Sequence, residues 1–219
     1  MKITRLGHAA VLLEGTKTII VDPFLLENPS ATIKPEGLPH INFVLVTHDH
    51  FDHIGQAIEI TKKNNATLVA IHELATSSQV SESGITAVGM NIGGTYSHQG
   101  INMSMTQAIH SAASGNPCGF VISMDGKTIY HAGDTAFFSD MSLIPKFFGQ
   151  ITVALLPIGG HYTMDVTQAI EAAHILKPEK IIPIHYNTWS IIKADPTLLQ
   201  EGYGKQKVII LQPGESISL

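Results

Sequence analysis

A dense group of potential metal ligands stands between a predicted strand and a predicted helix. Residues 41–46 are mainly apolar, which predicts a strand buried on both faces. Residues 48–53 then read His-Asp-His-Phe-Asp-His, and residues 54–61 show the apolar spacing of a helix. Because residues i and i+2 of an extended segment point the same way, His48 and His50 can aim at one point beyond the strand. This order of elements predicts a metal-binding junction.

Neither half of this junction is a complete metal site by itself. His48 and His50 form one incomplete site, and Asp52 and His53 form a second one nearby, since protein metal sites usually have at least three protein ligands. The missing ligands have candidates at or just past the ends of later predicted strands, where sites gather in proteins of this kind. These candidates are His110, Asp134 and His185.

Composition excludes several other classes of function. The 219 residues are 44% hydrophobic and 14% charged, which favours one globular domain over residues 1–219. The net charge of -5 disfavours a nucleic-acid surface. No apolar segment approaches the ~18 residues of a membrane span and no leader precedes the first predicted strand, so we expect a cytoplasmic protein without membrane insertion. Cys118 is the only cysteine, which rules out an intrachain disulfide and a thiolate-rich zinc site.

Periodicity predicts a mixture of strands and helices, arranged as two sheets covered by helices. Strands are predicted at residues 3–13, 18–21, 41–46, 67–71, 85–90, 95–98, 101–108, 120–124, 127–131, 151–156, 181–184 and 208–211. Helices are predicted at residues 54–61, 73–80 and 166–176. Asp125 and Gly126 suit a type I′ turn between two of these strands.

These residues resemble a known superfamily over nearly the whole chain. Residues 48–53 match the His-x-His-x-Asp-His signature of the metallo-β-lactamase superfamily. Further matches to its UPF0173 group of metal-dependent hydrolases, related to ascorbate-6-phosphate lactonase, are Gly7-His8-Ala9, Asp22-Pro23-Phe24, Gly133-Asp134-Thr135 and the stretch 157–161. The resemblance implies an α+β fold, a four-layer αββα sandwich with the metals at one edge of its two sheets.

The resemblance also implies a ligand set and a chemistry. The first metal would be held by His48, His50 and His110, the second by Asp52, His53 and His185, and Asp134 would bridge them. The implied enzyme is a binuclear metal-dependent hydrolase. It would use a metal-bridging hydroxide, oriented by Asp134, to cleave a phosphoester or lactone/ester bond in a small substrate. Zinc or manganese is expected, and iron and nickel stay open.

The leaving group of this reaction needs a proton, and His161 and His8 are the candidates for general acid or oxyanion donor. The alternative for His161, which follows two glycines, is a solvated loop position. The alternative for His8 is a hydrogen bond to a metal ligand. Asp49 is expected to orient a ligand histidine or the following helix.

Two other functions stay open at this stage. One is a mononuclear-iron oxidoreductase similar to persulfide dioxygenases, and the other is a metal-binding protein without enzymatic activity. Substrate specificity is expected to come from the loops 25–40, 111–117, 161–165 and 186–190. The last three contain hydroxyl and amide side chains but no lysine or arginine, which disfavours a highly charged phosphate substrate. A homo-oligomer is possible, since the phenylalanines at 137, 138, 147 and 148 could pack internally or between copies.

Overall fold

The computed structural model describes residues 1–219 and contains thirteen strands and seven α-helices. The strands are β1 (Lys2–Gly7), β2 (Ala10–Glu14), β3 (Thr18–Val21), β4 (Phe43–Leu45), β5 (Thr67–Ile71), β6 (Thr86–Met90), β7 (Thr95–His98), β8 (Ile101–Gln107), β9 (Cys118–Met124), β10 (Lys127–His131), β11 (Val153–Pro157), β12 (Lys180–Ile184) and β13 (Ser216–Ser218). The helices are α1 (Phe51–Ile54), α2 (Ala57–Asn64), α3 (His72–Ala75), α4 (Ser78–Ser81), α5 (Ile144–Phe148), α6 (Val166–Leu176) and α7 (Thr197–Tyr203).

The strands form two mixed sheets. The first has the order β13-β1-β2-β3-β4-β5-β6 and the second the order β12-β11-β10-β9-β8-β7. Pairing is parallel from β3 to β6 and from β10 to β12, and antiparallel elsewhere. The central parallel strands β4, β11 and β12 are buried along almost their whole length, as the apolar run at 41–46 predicts for β4, whereas the edge strand β6 is largely exposed or half-buried.

Two hydrophobic clusters define the layers. A cluster of 40 buried residues joins the two sheets, for example through Val44 and Ile122, and also includes Ile60 of α2. A cluster of 18 buried residues joins the far face of the second sheet, through Leu156, to Ala173 of α6. The layer order is therefore helix, sheet, sheet, helix, and the predicted αββα sandwich is confirmed.

The sheet directions bring the chemically important loops to one edge. Since β1, β2 and β3 are antiparallel in turn and β4 is parallel to β3, the strands β1, β3 and β4 run the same way. In the second sheet β8, β10, β11 and β12 share a direction for the same reason. His8, Asp22 and His185 come directly after such strands with left-handed φ values of 53°, 48° and 54°. These turns redirect the chain as it leaves each sheet.

Two predicted elements are broken by local turns. The predicted strand 3–13 is wrong as a single element, because the chain turns at His8 between β1 and β2. The predicted helix 54–61 is also wrong as a single element. Gly55 has a φ of 36°, and a Cβ there would meet the carbonyl oxygen of Pro23 at 2.5 Å. The helical segment therefore divides into α1, which carries ligand candidates, and α2, which packs on the sheet.

Other differences lie away from this edge. The predicted helix 73–80 is two short helices, α3 and α4. The predicted strand 208–211 is wrong, because this segment forms only an isolated bridge between Val208 and Ile181. The edge strand β13 was not predicted. None of the helices has the length and apolar character needed to cross a membrane.

Candidate metal centre

Three histidines meet where β4 and β8 end. His48 Nε2 lies 3.0 Å from His50 Nδ1. The ring centroid of His110 is 5.2 Å from that of His48 and 5.1 Å from that of His50. One nitrogen of each ring lies within 4.8 Å of the others, a spacing at which three imidazoles can bind one cation. The structure thus brings together the three residues predicted for the first metal.

A second group lies beside the first. Oδ2 of Asp52 is 3.9 Å from His53 Nε2, 3.8 Å from His185 Nε2 and 3.1 Å from His8 Nε2. One donor atom from each of the four lies within 4.8 Å of the others. This group contains the three residues predicted for the second metal, together with His8.

Asp134 lies between the two groups. Its Oδ1 is 3.3 Å from His53 Nε2, and its Oδ2 is 3.0 Å from His185 Nε2 and 3.6 Å from His110 Nε2. The preceding Gly133 has a φ of 63°, and a Cβ there would meet the carbonyl oxygen of Cys118 at 2.6 Å. Only glycine permits this close approach, which carries Asp134 into the centre of the site. Its carboxylate is placed to face both groups, as a bridging ligand must.

A buried aspartate missed as a functional residue in the sequence supports both groups. Asp22 Oδ2 accepts a hydrogen bond from His53 Nδ1 at 2.8 Å and another from Thr47 Oγ1 at 2.7 Å. Thr47 Oγ1 also lies 3.0 Å from Nδ1 of His48. Because a carboxylate can only accept from His53 Nδ1, the free lone pair of a neutral His53 is on Nε2, facing Asp134. A signal existed, since Asp22 directly follows the predicted strand 18–21 and belongs to the family match Asp22-Pro23-Phe24.

Two further side chains, those of His131 and Asp49, hold the loops that carry ligand candidates. His131 is wholly buried; its Nε2 donates to the carbonyl of Ala9 at 2.9 Å and its Nδ1 accepts from the amide of Gly133 at 3.1 Å. It therefore ties the loop of Asp134 to the first sheet. Asp49 Oδ1 accepts from the amide of Ala113 at 2.9 Å. Asp49 thus holds the loop that follows His110, rather than the helix that follows itself.

The carboxylates make this site favourable for positive charge. Burial opposes a charge on His53, but Asp134 and Asp22 outweigh burial and raise its pKa well above the usual range. Burial likewise opposes a charge on His185, yet Asp134 raises its pKa to about 9. His48 differs, since burial and then the neighbouring His53 hold its pKa far below the usual range. The carboxylates thus favour a positive charge at His53 and His185, the place where a cation would be held, whereas His48 stays a neutral imidazole donor.

A cavity of about 570 Å³ opens above these groups. The lining residues fall into ligand candidates at the base and other side chains on the wall. They are His50, Asp52, His110, Asp134 and His185 at the base, and Phe51, Ser111, Tyr162, Trp189 and Ile191 on the wall. Its volume lies in the ~300–1,000 Å³ range of small-molecule sites.

Comparison with known proteins agrees with this architecture. Residues 17–186 match the model of the beta-lactamase superfamily domain. A UPF0173 metal-dependent hydrolase of Thermococcus kodakarensis is 47% identical over 225 residues, covering 100% of both chains. The chain belongs to the UPF0173 group of the metallo-β-lactamase superfamily. A UPF0173 metal-dependent hydrolase of Pelotomaculum thermopropionicum is 45% identical with the same coverage.

One solved structure resembles this UPF0173 protein closely. It is Igni18, a metallo hydrolase of Ignicoccus hospitalis, with 38% identity and a TM-score of 0.91 over 99% of the present chain and 97% of Igni18. The resemblance to this superfamily in the sequence is therefore confirmed, and so is its fold.

The donor atoms of this UPF0173 protein fit divalent cations. His53 Nε2 and Asp134 Oδ1 are buried and make no hydrogen bond, although they lie only 3.3 Å apart. Leaving such atoms without a partner costs about 1–3 kcal/mol each, and a cation would satisfy both. His53 also donates its other ring nitrogen to a carboxylate, as metal-binding histidines commonly do.

The two candidates for general acid occupy different places. His8 is wholly buried, with Nε2 bound to Asp52 and Nδ1 2.8 Å from Thr188 Oγ1. Burial lowers its pKa to about 4. Both ring nitrogens are engaged, which favours orientation of Asp52 over proton donation to a substrate.

His161 is exposed beside Tyr162, with ring centroids 4.6 Å apart, and it is Tyr162 that lines the cavity. The general-acid role of His161 stays a prediction.

Proposed function

We propose that this protein is a binuclear metal-dependent hydrolase that cleaves a lactone/ester or phosphoester bond in a small substrate. The observation that carries the proposal is the position of Asp134 between two groups of metal-ligand side chains, 3.3 Å from His53 and 3.6 Å from His110. The ligands proposed for one metal are His48, His50 and His110, and those for the other are Asp52, His53 and His185, with Asp134 shared. The family supports hydrolysis, since its relatives are named metal-dependent hydrolases.

When bound, two divalent cations supply a hydroxide at neutral pH by lowering the pKa of a water, and they polarise the substrate oxygen. The side chains of the protein orient the reacting groups and supply the proton. Asp134 orients the attacking oxygen by accepting its hydrogen bond, and His8 holds Asp52 through its Nε2. In the reaction one C–O or P–O bond to the leaving group breaks, one such bond to the water oxygen forms, and the leaving oxygen gains a proton. His161 is our candidate donor of that proton.

The choice of metal follows from the donor atoms. Imidazoles with two carboxylates suit zinc and manganese, and also iron and nickel. The single thiol is not a ligand: Cys118 is buried in the core, and burial raises its pKa well above the usual range.

The test compares two bond types on one preparation. Protein is stripped with a chelator, refilled with zinc or manganese, and assayed with a chromogenic phosphodiester and a simple lactone. We expect hydrolysis of at least one substrate to return with metal. Full metal loading without hydrolysis of either substrate would overturn the proposal. Asp134→Asn serves as the inactive comparison, and its metal content is measured in parallel.

A further inference from the structure

We propose that the substrate carries an uncharged apolar or aromatic group beside the scissile bond, seated against Phe51, Trp189 and Ile191. This inference rests on the proposed hydrolysis for its reaction and adds the substrate class. It is carried by the wall of the cavity, whose side chains are not among the metal-ligand candidates.

The first observation is the exposure of large apolar side chains around the cavity. Phe51 is 62% exposed, Tyr162 53% and Ile191 49%. All three line the same cavity. Exposed apolar side chains gathered around a concave site mark a surface that is covered in use. A ligand with an apolar group would remove them from water.

The second observation is that the aromatic side chains of this wall pack against one another and against the buried Phe24. The ring of Phe51 stands edge-on to Phe24 at a centroid distance of 5.7 Å and lies 6.0 Å from the ring of Trp189. Phe24 is buried beneath both, 6.1 Å from Trp189. A wall supported in this way does not have to be ordered when a ligand binds, so less affinity is lost.

The wall is also fixed relative to the ligands. Phe51 is the first residue of α1, which also contains Asp52 and His53. Trp189 and Ile191 belong to the loop that follows His185. Two hydrogen bonds hold the ends of that loop together. The backbone N–H of Asn187 donates to the carbonyl oxygen of Ile192 at 2.9 Å, and Oδ1 of Asn187 accepts from the backbone N–H of Ala194 at 2.9 Å. The apolar surface therefore has a defined position beside the reacting bond.

The third observation concerns charge. No lysine or arginine lines the cavity, and its only carboxylates, Asp52 and Asp134, are ligand candidates. Anionic substituents are usually held by arginine or lysine, whereas the polar groups of this wall are the hydroxyls of Ser111 and Tyr162 and the indole N–H of Trp189. An anionic substituent seated against this wall would lose water and gain only neutral hydrogen-bond donors. The wall thus selects against it.

Three lactones with the same five-membered ring provide the test: γ-butyrolactone and its γ-phenyl and γ-carboxylate derivatives. The same C–O bond is cleaved in each, so differences in kcat/KM report the substituent. We expect the phenyl compound to exceed the unsubstituted one by at least about tenfold, the scale expected for burying a ring. The carboxylate compound should not exceed it. A preference for the carboxylate, or equal rates for all three, would overturn the inference while hydrolysis itself stood.

Binding is measured separately from hydrolysis. Trp189 is the only tryptophan and lines the cavity, so its fluorescence reports occupancy. On zinc-loaded protein the phenyl lactone should give the lowest Kd of the three. If no lactone is hydrolysed but this order holds, the substrate class stands and the lactonase reaction fails. No fluorescence change with any lactone would overturn the inference.

A matched pair of variants locates the effect. Ile191→Ala should reduce the preference for the phenyl lactone severalfold. Leu198→Ala should leave it unchanged, because Leu198 is equally exposed at 49% but does not line the cavity. An equal loss of the phenyl preference in both variants would show that contact with Ile191 is not its source.

Discussion

Nδ1 of His53 lies 2.8 Å from Oδ2 of Asp22, and neither side chain is exposed to solvent. The same carboxylate accepts two hydrogen bonds from Thr47, whose hydroxyl contacts Nδ1 of His48. One aspartate at the end of β3 therefore orients a histidine of each proposed metal position. It does so without contacting either position itself.

Replacing Asp22 should weaken metal binding while keeping the fold. Asp22→Asn retains the size of the side chain and its tolerance of a left-handed backbone, but loses the charge that orients His53. We expect zinc affinity, measured by competition with a chromophoric chelator, to fall about 10–100-fold. Asp195→Asn, which changes an exposed carboxylate, is the control and should leave zinc affinity unchanged. Equal affinities in both variants would contradict the orienting role.

Each of the two groups of ligand candidates should hold one metal ion, so that damage to one group removes only one ion per chain. We expect two zinc ions per chain in refilled protein and about one in His110→Ala, because that variant removes a donor from only one group. Elemental analysis of dialysed protein measures the ratio. His98→Ala is the control, since His98 is exposed and outside both groups. One metal per chain in the unaltered protein would contradict the binuclear assignment.

The general-acid hypothesis for His161 has a direct kinetic test. Positioned general acids contribute about 10²–10⁴-fold to a rate, so we expect His161→Ala to lower kcat by at least about 10²-fold with metal content unchanged. Tyr162→Phe provides the comparison, because its hydroxyl belongs to a side chain that lines the cavity. An unaltered kcat in His161→Ala together with a reduced kcat in Tyr162→Phe would transfer the role to Tyr162.

Acid should destabilise the chelator-stripped protein through its buried histidines. Burial lowers the pKa of His131 below the unfolded value of 6.5, so between these two values the unfolded chain binds more protons. Stability contributed by this residue is present above pH 6.5 and is lost as the pH falls toward the folded pKa. His53 and His185, whose pKa values are raised, lose their contribution only as the pH rises above 6.5. They therefore do not oppose the loss in this window.

Urea unfolding at several pH values measures this dependence. We expect the free energy of unfolding to fall below pH 6.5 and to fall less steeply in His131→Gln. His40→Gln should behave as the unaltered protein, since His40 is exposed. The same slope in all three proteins would show that His131 is not a source of the acid sensitivity.

Gly55 should be the more sensitive of two glycines with positive φ. An alanine Cβ at Gly55 would meet Pro23 O at 2.5 Å and Phe24 Cα at 2.6 Å, whereas at Gly84 it would meet nothing within 4 Å. Both substitutions strain the backbone, and the strain at Gly55 adds to the clash because its ψ of -121° lies outside the left-handed helical region. We expect Gly55→Ala to be less stable than Gly84→Ala by about 1–3 kcal/mol in urea unfolding. It should also lower zinc affinity by displacing α1.

The elements that carry local signals could be predicted from the sequence. The junction at residues 48–53 and the Asp125-Gly126 hairpin both depend on neighbouring residues, and both are found as predicted. The break at Gly55 could not be predicted from the sequence, because the apolar spacing of residues 54–61 also fits one continuous helix. The turn is imposed by contact with Pro23 and Phe24, which lie far away in sequence.

Long-range pairing explains the other misses. The strand β13 is exposed and partly polar, and it exists because Ile217 pairs with Ile3 at the opposite end of the chain. The support that Asp22 gives His53 likewise joins β3 to a helix across 31 positions. The ligand candidates were found by residue type and position after a strand, but the contacts that orient them follow from the packing of the sheets.

Three residues of the candidate metal centre or its support, His8, Asp22 and His185, adopt left-handed backbone conformations. Glycine at each position would relieve about 1–2 kcal/mol of strain, yet it would remove a donor that the centre uses. Stability and chemistry therefore place opposite demands on these positions. Selection for heat resistance alone should replace these residues. A more stable variant that keeps the activity should therefore retain all three and carry its stabilising substitutions at other positions.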